Sequence, residues 1–154
     1  MKILVAYYSL HGHTEQTAKM IAKFLRADLE NIIDKKDRSH LTNWRLGAFD
    51  EDLRKATQIE ESIKNAADYD LVVIGTPIWD GVVPAVKAYL AKNKFKNVAF
   101  FLTFNAAAED GALVMSQLAQ KAPVAVLEIQ DLQVKKLEGK ELIKKFCKEI
   151  KNKI

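Results

Sequence analysis

The chain predicts an α/β fold, a doubly wound sandwich in which a five-stranded parallel sheet carries helices on both faces. Three observations predict it. Short apolar runs alternate with segments of helical period along the whole sequence. The runs are apolar throughout rather than at every second residue, as strands covered on both faces require. Three of them empty into small polar loops, at 9–14, 76–81 and 103–110. In an open parallel sheet, ligands bind beyond the carboxyl ends of the strands. Loops that each follow a strand therefore converge on one candidate site.

The first strand covers about Lys2–Tyr8. A helix follows from His13 or Thr14 to Arg26, with Thr17, Ala18, Ile21, Ala22 and Leu25 at helical spacing on one face. A weaker strand spans about Asp28–Ile33. Asp34–Asp52 is polar and irregular, and a helix is expected from there to about Ala67. Asp70–Gly75 is a buried strand. Pro84, allowed in a first helical turn, opens a helix to Lys92. Asn97–Leu102 is a strand, Ala108–Gln120 a helix and Val124–Ile129 the last strand; a final helix runs from Glu138 to near the end. No repeat, linker or low-complexity stretch interrupts the pattern, so residues 1–154 are expected to form a single domain.

Hydrophobic residues make up 49% of the chain and charged residues 29%, as in a soluble globular protein. No apolar stretch approaches the length of a membrane span, and the first residues enter a strand without a signal-peptide pattern. A cytoplasmic location without a membrane partner is the expectation. Cys147 is the only cysteine, which excludes an intramolecular disulfide and a cysteine metal cluster. It shares a helical face with Ile143, Phe146 and Ile150 and reads as a buried, inert thiol. The net charge of +4 is unevenly spread. From Lys135 onward there are eight lysines and three glutamates, +5, which leaves the rest at about −1. No aromatic residues interleave with these lysines to stack bases, so they read as a solvated helix face and no nucleic-acid partner is expected.

The chemistry concentrates in the first loop, Ser9-Leu10-His11-Gly12-His13-Thr14. Backbone N–H groups at a helix N-terminus lack intrahelical partners, and the helix dipole adds partial positive charge there. A buried strand running through a hydroxyl-rich loop into a helix is a place to hold a phosphate. Ser9 and Thr14 supply hydroxyls, and Gly12 lets the backbone close around an anion. The loop has neither the Gly-x-x-x-x-Gly-Lys of an NTPase nor the Gly-x-Gly-x-x-Gly of a dinucleotide fold. A single phosphate monoester is the better fit.

With these residues in view, the chain resembles the flavodoxin family over nearly its whole length. The loop at 9–14 is similar to the family's phosphate loop, Ser/Thr-x-Thr-Gly-x-Thr. Gly75-Thr76-Pro77-Ile78-Trp79-Asp80-Gly81 resembles the first flavin loop, in the Pro-Ile-Trp-x-Gly form of flavodoxin-like oxidoreductases. Thr103-Phe104-Asn105 stands where the second flavin loop belongs, and the short Gln130–Leu137 connector resembles the short-chain branch. The resemblance implies a strand order 2-1-3-4-5, non-covalent FMN, and cofactor contacts from Ser9, Leu10, His11, Gly12, His13 and Thr14. It implies further contacts from Thr76, Pro77, Ile78, Trp79, Asp80, Gly81, Thr103, Phe104, Asn105 and Asp110.

The departures from the family carry their own expectations. His11 replaces a threonine. It is either a surface histidine in a turn or an imidazole that donates to the phosphate, and the second is preferred. His13 fills a variable slot, where its backbone N–H could do the binding. Trp79 is either a core aromatic or, as preferred here, an indole exposed at the mouth of the site and stacked on the flavin. Asp80 stands where many relatives have a glycine, in a turn that needs an unusual backbone angle; Asp tolerates it, and Gly81 offers the freedom as well. Ala106-Ala107-Ala108 replaces the second loop's glycines, and Glu109 and Asp110 read as acids of a helix N-terminus near the flavin rim. His40, Trp44, Arg45, Gly47 and Phe49 read either as a lid or partner surface or, preferably, as an irregular connection with Trp44 and Phe49 turned inward.

Three functions compete. The first is an electron carrier that takes electrons from one redox partner protein to another, as a monomer or weak dimer. The second is an FMN-dependent NAD(P)H:quinone-type oxidoreductase, which needs an open pocket over the flavin. The third is a flavin-free interaction module on the same fold. A receiver domain is disfavoured because the first strand ends in Tyr7-Tyr8-Ser9 rather than an acidic pair. Acidic rim residues Asp80, Glu109 and Asp110 favour the carrier.

Overall fold

In the computed structural model, which describes residues 1–41 and 51–154, β-branched and aliphatic runs form five parallel strands. They are β1 (Ile3–Tyr7), β2 (Asp28–Asn31), β3 (Leu71–Pro77), β4 (Val98–Phe104) and β5 (Val126–Gln130). Their order is β2-β1-β3-β4-β5, as expected. The order reverses beside β1, which is the switch point where such sheets open a crevice.

Alternation along each strand divides the core in two. Leu4, Ala6, Val72, Ile74, Phe100 and Leu102 face one side, beneath α2 (Pro84–Lys92) and α3 (Gly111–Ala119). Val5, Tyr7, Val73, Ala99, Phe101 and Ile129 face the other, beneath α1 (His13–Leu25) and α4 (Leu137–Lys153). Helix α4 buries Ile143, Phe146, Cys147 and Ile150. Cys147 is 3% exposed, and burial pushes its thiol up to about 11, so it is inert as expected. Among the described residues, no helix is long and apolar enough to cross a membrane.

One expected helix is absent among the described residues and one helix boundary moves. Residues 53–67 do not form the expected helix. A 3₁₀ turn, Glu51–Arg54, is followed by extended chain and a second 3₁₀ turn, Ala66–Asp68. The backbone here is engaged from outside. Glu60 N–H donates to Ile33 O at 2.9 Å, and Lys35 N–H donates to Gln58 O at 2.9 Å. The Glu30 carboxylate accepts from Ile63 N–H at 2.8 Å. Helix α3 begins at Gly111 rather than Ala108, because Glu109 takes a left-handed φ of 52° that a helix cannot continue. His40 is exposed, whereas Trp44, Arg45, Gly47 and Phe49 lie outside the described residues.

Candidate functional site

The three loops meet at the carboxyl edge of β1, β3 and β4, held by contacts between them. Thr14 Oγ1 and Thr103 Oγ1 are hydrogen-bonded at 2.7 Å, joining the first turn of α1 to the end of β4. Ile78 N–H donates to Thr103 O at 2.9 Å and carries the pairing of β3 with β4 into the next loop. The His11 and Trp79 rings lie 5.0 Å apart at an interplanar angle of 45°.

The first loop is a tight turn that leads into α1. Gly12 has φ 97°, and a Cβ placed on it would meet nothing within 4 Å, so the space in front of it is open. The Ser9 hydroxyl accepts from Gly12 N–H at 3.1 Å and fixes the turn. Leu10 is half-buried against the core beside Trp79. His13 starts α1, and its carbonyl accepts from the Thr17 hydroxyl at 2.9 Å. The Thr14 hydroxyl is buried at 1% exposure and bonded to Thr103, so it braces the loop.

The second loop is a tight turn. Ile78 and Val82 bridge across it, and Asp80 and Gly81 have φ of 59° and 105°. An Asp-Gly pair serves such a turn because both residues tolerate positive φ. Thr76 is 0% exposed, and its hydroxyl donates to Pro77 O at 2.7 Å, so it too braces its loop. Pro77 ends β3 and Ile78 is buried. Trp79 gives the sharpest correction. Its indole is 7% exposed and packed in the core, not displayed at the mouth of the site. Only about 10 Å³ of void remains beside it, among Tyr8, Arg38, Leu53 and Val83, room for about one water.

At the third loop Phe104 is half-buried, and Asn105 is exposed with its carbonyl accepting from Gln130 Nε2 at 2.9 Å. Ala106 and Ala107 are exposed, and Ala108 is buried. Asp110 occupies the N-cap position of α3 without a side-chain capping bond.

Two site residues were not anticipated. Asp131, in the 3₁₀ turn Asp131–Gln133 after β5, places Oδ2 3.9 Å from His13 Nδ1. Burial holds its carboxyl above the usual range, while His13 and His11 pull it down. Its turn is set by Gly139, since a Cβ there would lie 1.9 Å from Gln133 O. The only sequence signal was its position just past a strand end. Arg54 is the second, with Nη2 at 2.8 Å and Nε at 3.1 Å from Asp80 Oδ2. The expected bare acid at position 80 is thus neutralised. Nearby, His11 is held below the usual histidine value, first by burial and then by His13, against the opposing pull of Asp131.

The comparisons agree with this fold. The flavodoxin family model matches residues 2–150. Flavodoxin 2 of Bacillus cereus superposes with TM-score 0.68 at 21% identity, covering 100% of both chains. A flavoprotein of Lactobacillus acidophilus NCFM in complex with FMN gives 0.60 at 21% identity, over 88% of this chain and 97% of that one. A protein of Bacteroides eggerthii DSM 20697, provisionally assigned as a flavoprotein, gives 0.66 at 25% identity, over 86% and 92%. Among curated proteins, none matches the sequence at a significant level. With its five parallel strands in the order 2-1-3-4-5 and a family match spanning all of them, the chain belongs to the flavodoxin family.

Proposed function

We propose that this protein binds FMN without covalent attachment at the carboxyl edge of its sheet and works as an electron carrier between redox partner proteins. The observation that carries this reading is the convergence of the open Gly12 loop with the Asp80-Gly81 turn and the exposed Asn105–Ala107 segment at one sheet edge. Family membership and the FMN held by the Lactobacillus acidophilus structure support it.

The donor set suits the group. The phosphate would meet backbone N–H groups of the 10–14 loop other than that of Gly12, which Ser9 Oγ holds, with the His11 and His13 rings beside it. Loop N–H groups at the start of α1 add the dipole's partial charge. The ring would lie between the Asp80-Gly81 turn and the Asn105–Ala107 segment. A Cβ on Gly81 also meets nothing within 4 Å, so backbone can approach a planar group there. Bound FMN would supply one- and two-electron chemistry, and the chain would position it and shield it from water.

The carrier is preferred to a quinone-type oxidoreductase because Glu109 and Asp110 stand exposed at the rim of that edge, as a surface for docking a basic partner protein requires. Titration of apoprotein with FMN and with riboflavin tests the site. FMN should bind at least tenfold more tightly, since charge-assisted bonds to phosphate supply much of the affinity. Equal affinities would remove the phosphate-loop assignment. Rapid NAD(P)H oxidation by the FMN-loaded protein alone would favour the enzyme.

A further inference from the structure

We propose that Asp131, His13 and His11 make phosphate binding at the 9–14 loop proton-dependent, so that FMN is taken up together with a proton held by the two imidazoles. This rests on the phosphate-site reading above. A phosphate monoester near neutral pH carries between one and two negative charges. The loop contains no lysine or arginine to answer it. Instead, the turn after β5 brings a carboxylate to it, Asp131 Oδ2 at 3.9 Å from His13 Nδ1. At that distance the carboxylate acts on the ring through its charge rather than through a hydrogen bond. Two like charges, phosphate and carboxylate, are thus asked to share a partly desolvated edge.

Among the described residues, three charged pairs around the loop have partners of their own, and Lys135, Lys136 and Lys140 line the groove at the start of α4. Glu15 on α1 is paired with Lys19 at 2.9 Å. Asp80 in the turn after β3 is paired with Arg54 at 2.8 Å. Asp34 and Arg38, from the connection after β2, pair with each other at 3.1 Å. Among the described residues, His11 and His13 are the groups at the loop able to gain positive charge near neutral pH. Without ligand, His11 is kept neutral by burial and by its neighbour His13. A phosphate reverses that balance.

The sign follows by linkage. If the bound state holds more protons than the free state, affinity falls as pH rises. Above about pH 6.5 the phosphate is already mostly a dianion, so the remaining dependence belongs to the protein. FMN affinity should weaken roughly tenfold between pH 6.5 and 8.5, an average uptake of about half a proton across that range. Riboflavin, which lacks the phosphate, should bind equally across that range. Asp131→Asn removes the like charge and should tighten FMN several-fold at pH 8.5. His11→Gln with His13→Gln should flatten the profile.

The experiment is fluorescence titration of the full-chain apoprotein with FMN and riboflavin from pH 6.5 to 8.5, for the wild type and these variants. Far-ultraviolet circular dichroism confirms that each is folded. An FMN profile as flat as riboflavin's, or one that falls equally in the double histidine variant, overturns the proposal. If a variant does not fold, the wild-type comparison of the two flavins still decides. FMN that binds tighter than riboflavin but with no pH dependence removes this proposal alone. FMN that never outbinds riboflavin removes the phosphate site with it.

Discussion

Trp79 shows how much one residue's surroundings decide. Pro77-Ile78-Trp79 matches a flavin-loop motif, and an indole after a strand end could have pointed either way. The Asp80-Gly81 turn folds it back, with Trp79 N–H donating to Gly81 O at 3.0 Å, and the ring packs under His11. Trp79→Ala should therefore act on stability first, costing roughly 3–5 kcal/mol by the usual toll of a large core truncation. Denaturant midpoints of the apoprotein would show it, with Trp79→Phe losing much less. An unchanged midpoint would put the indole back at the cofactor. Asp131 gives a second prediction at this scale. Its carboxyl is raised, chiefly by burial. A raised folded-state value means the folded form holds its proton more tightly than the unfolded one. Stability from this group is then full below the ordinary carboxylate value and is lost as pH rises through the raised value. Asp131→Asn should raise the thermal midpoint at pH 7 and leave it unchanged in acid, where both states are protonated.

At the level of elements, β1, β3 and β4 were legible because each is a largely apolar run, and α2 because Pro84 marks its first turn at the boundary found. Residues 53–67 were not. Leu53, Ala56, Ile59, Ile63 and Ala66 recur every three or four residues, as on a helix face. Yet Ile63 is 95% exposed, and Ile59 bridges to Asp34 instead. Partners supplied by β2 and the chain after it outweigh local periodicity, and no local pattern announces them. The site was legible to the same degree. Loops that follow strands could be found, but the burial of the Thr14 and Thr76 hydroxyls depends on Thr103 and Pro77, and Asp131 arrives from the far edge of the sheet. Packing between strands is equally specific. Gly75 on β3 pairs with Phe101 on β4, and a Cβ on Gly75 would lie 1.9 Å from that ring. Gly75→Ala should cost about 1–3 kcal/mol through overpacking. Chemical denaturation measures it, and Phe101→Leu in the same chain should recover part of the loss.

Charge is a property of the whole molecule, and the lysines divide by position. Lys135, Lys136 and Lys140 line a groove of about 560 Å³ with Lys19, Met20 and Leu137, where α4 begins beside the site. Lys144, Lys148 and Lys151 lie further along α4, which rises about 1.5 Å per residue away from that edge. At the rim, Glu109 and Asp110 are exposed, whereas Asp80 is held by Arg54. Docking of a positively charged redox partner should thus depend on Glu109 and Asp110, and reversal of Asp80 would be confounded by a stranded Arg54. With a basic haem protein as acceptor, Glu109→Lys with Asp110→Lys should slow electron transfer from the FMN-loaded protein several-fold and flatten its salt dependence. Neutralising Lys144, Lys148 and Lys151 together should change the rate less than twofold, because those charges are separated from the edge by about a Debye length. The reverse pattern would mean that partners dock on the lysine face of α4, and that electrons leave this protein by a route other than its carboxyl edge.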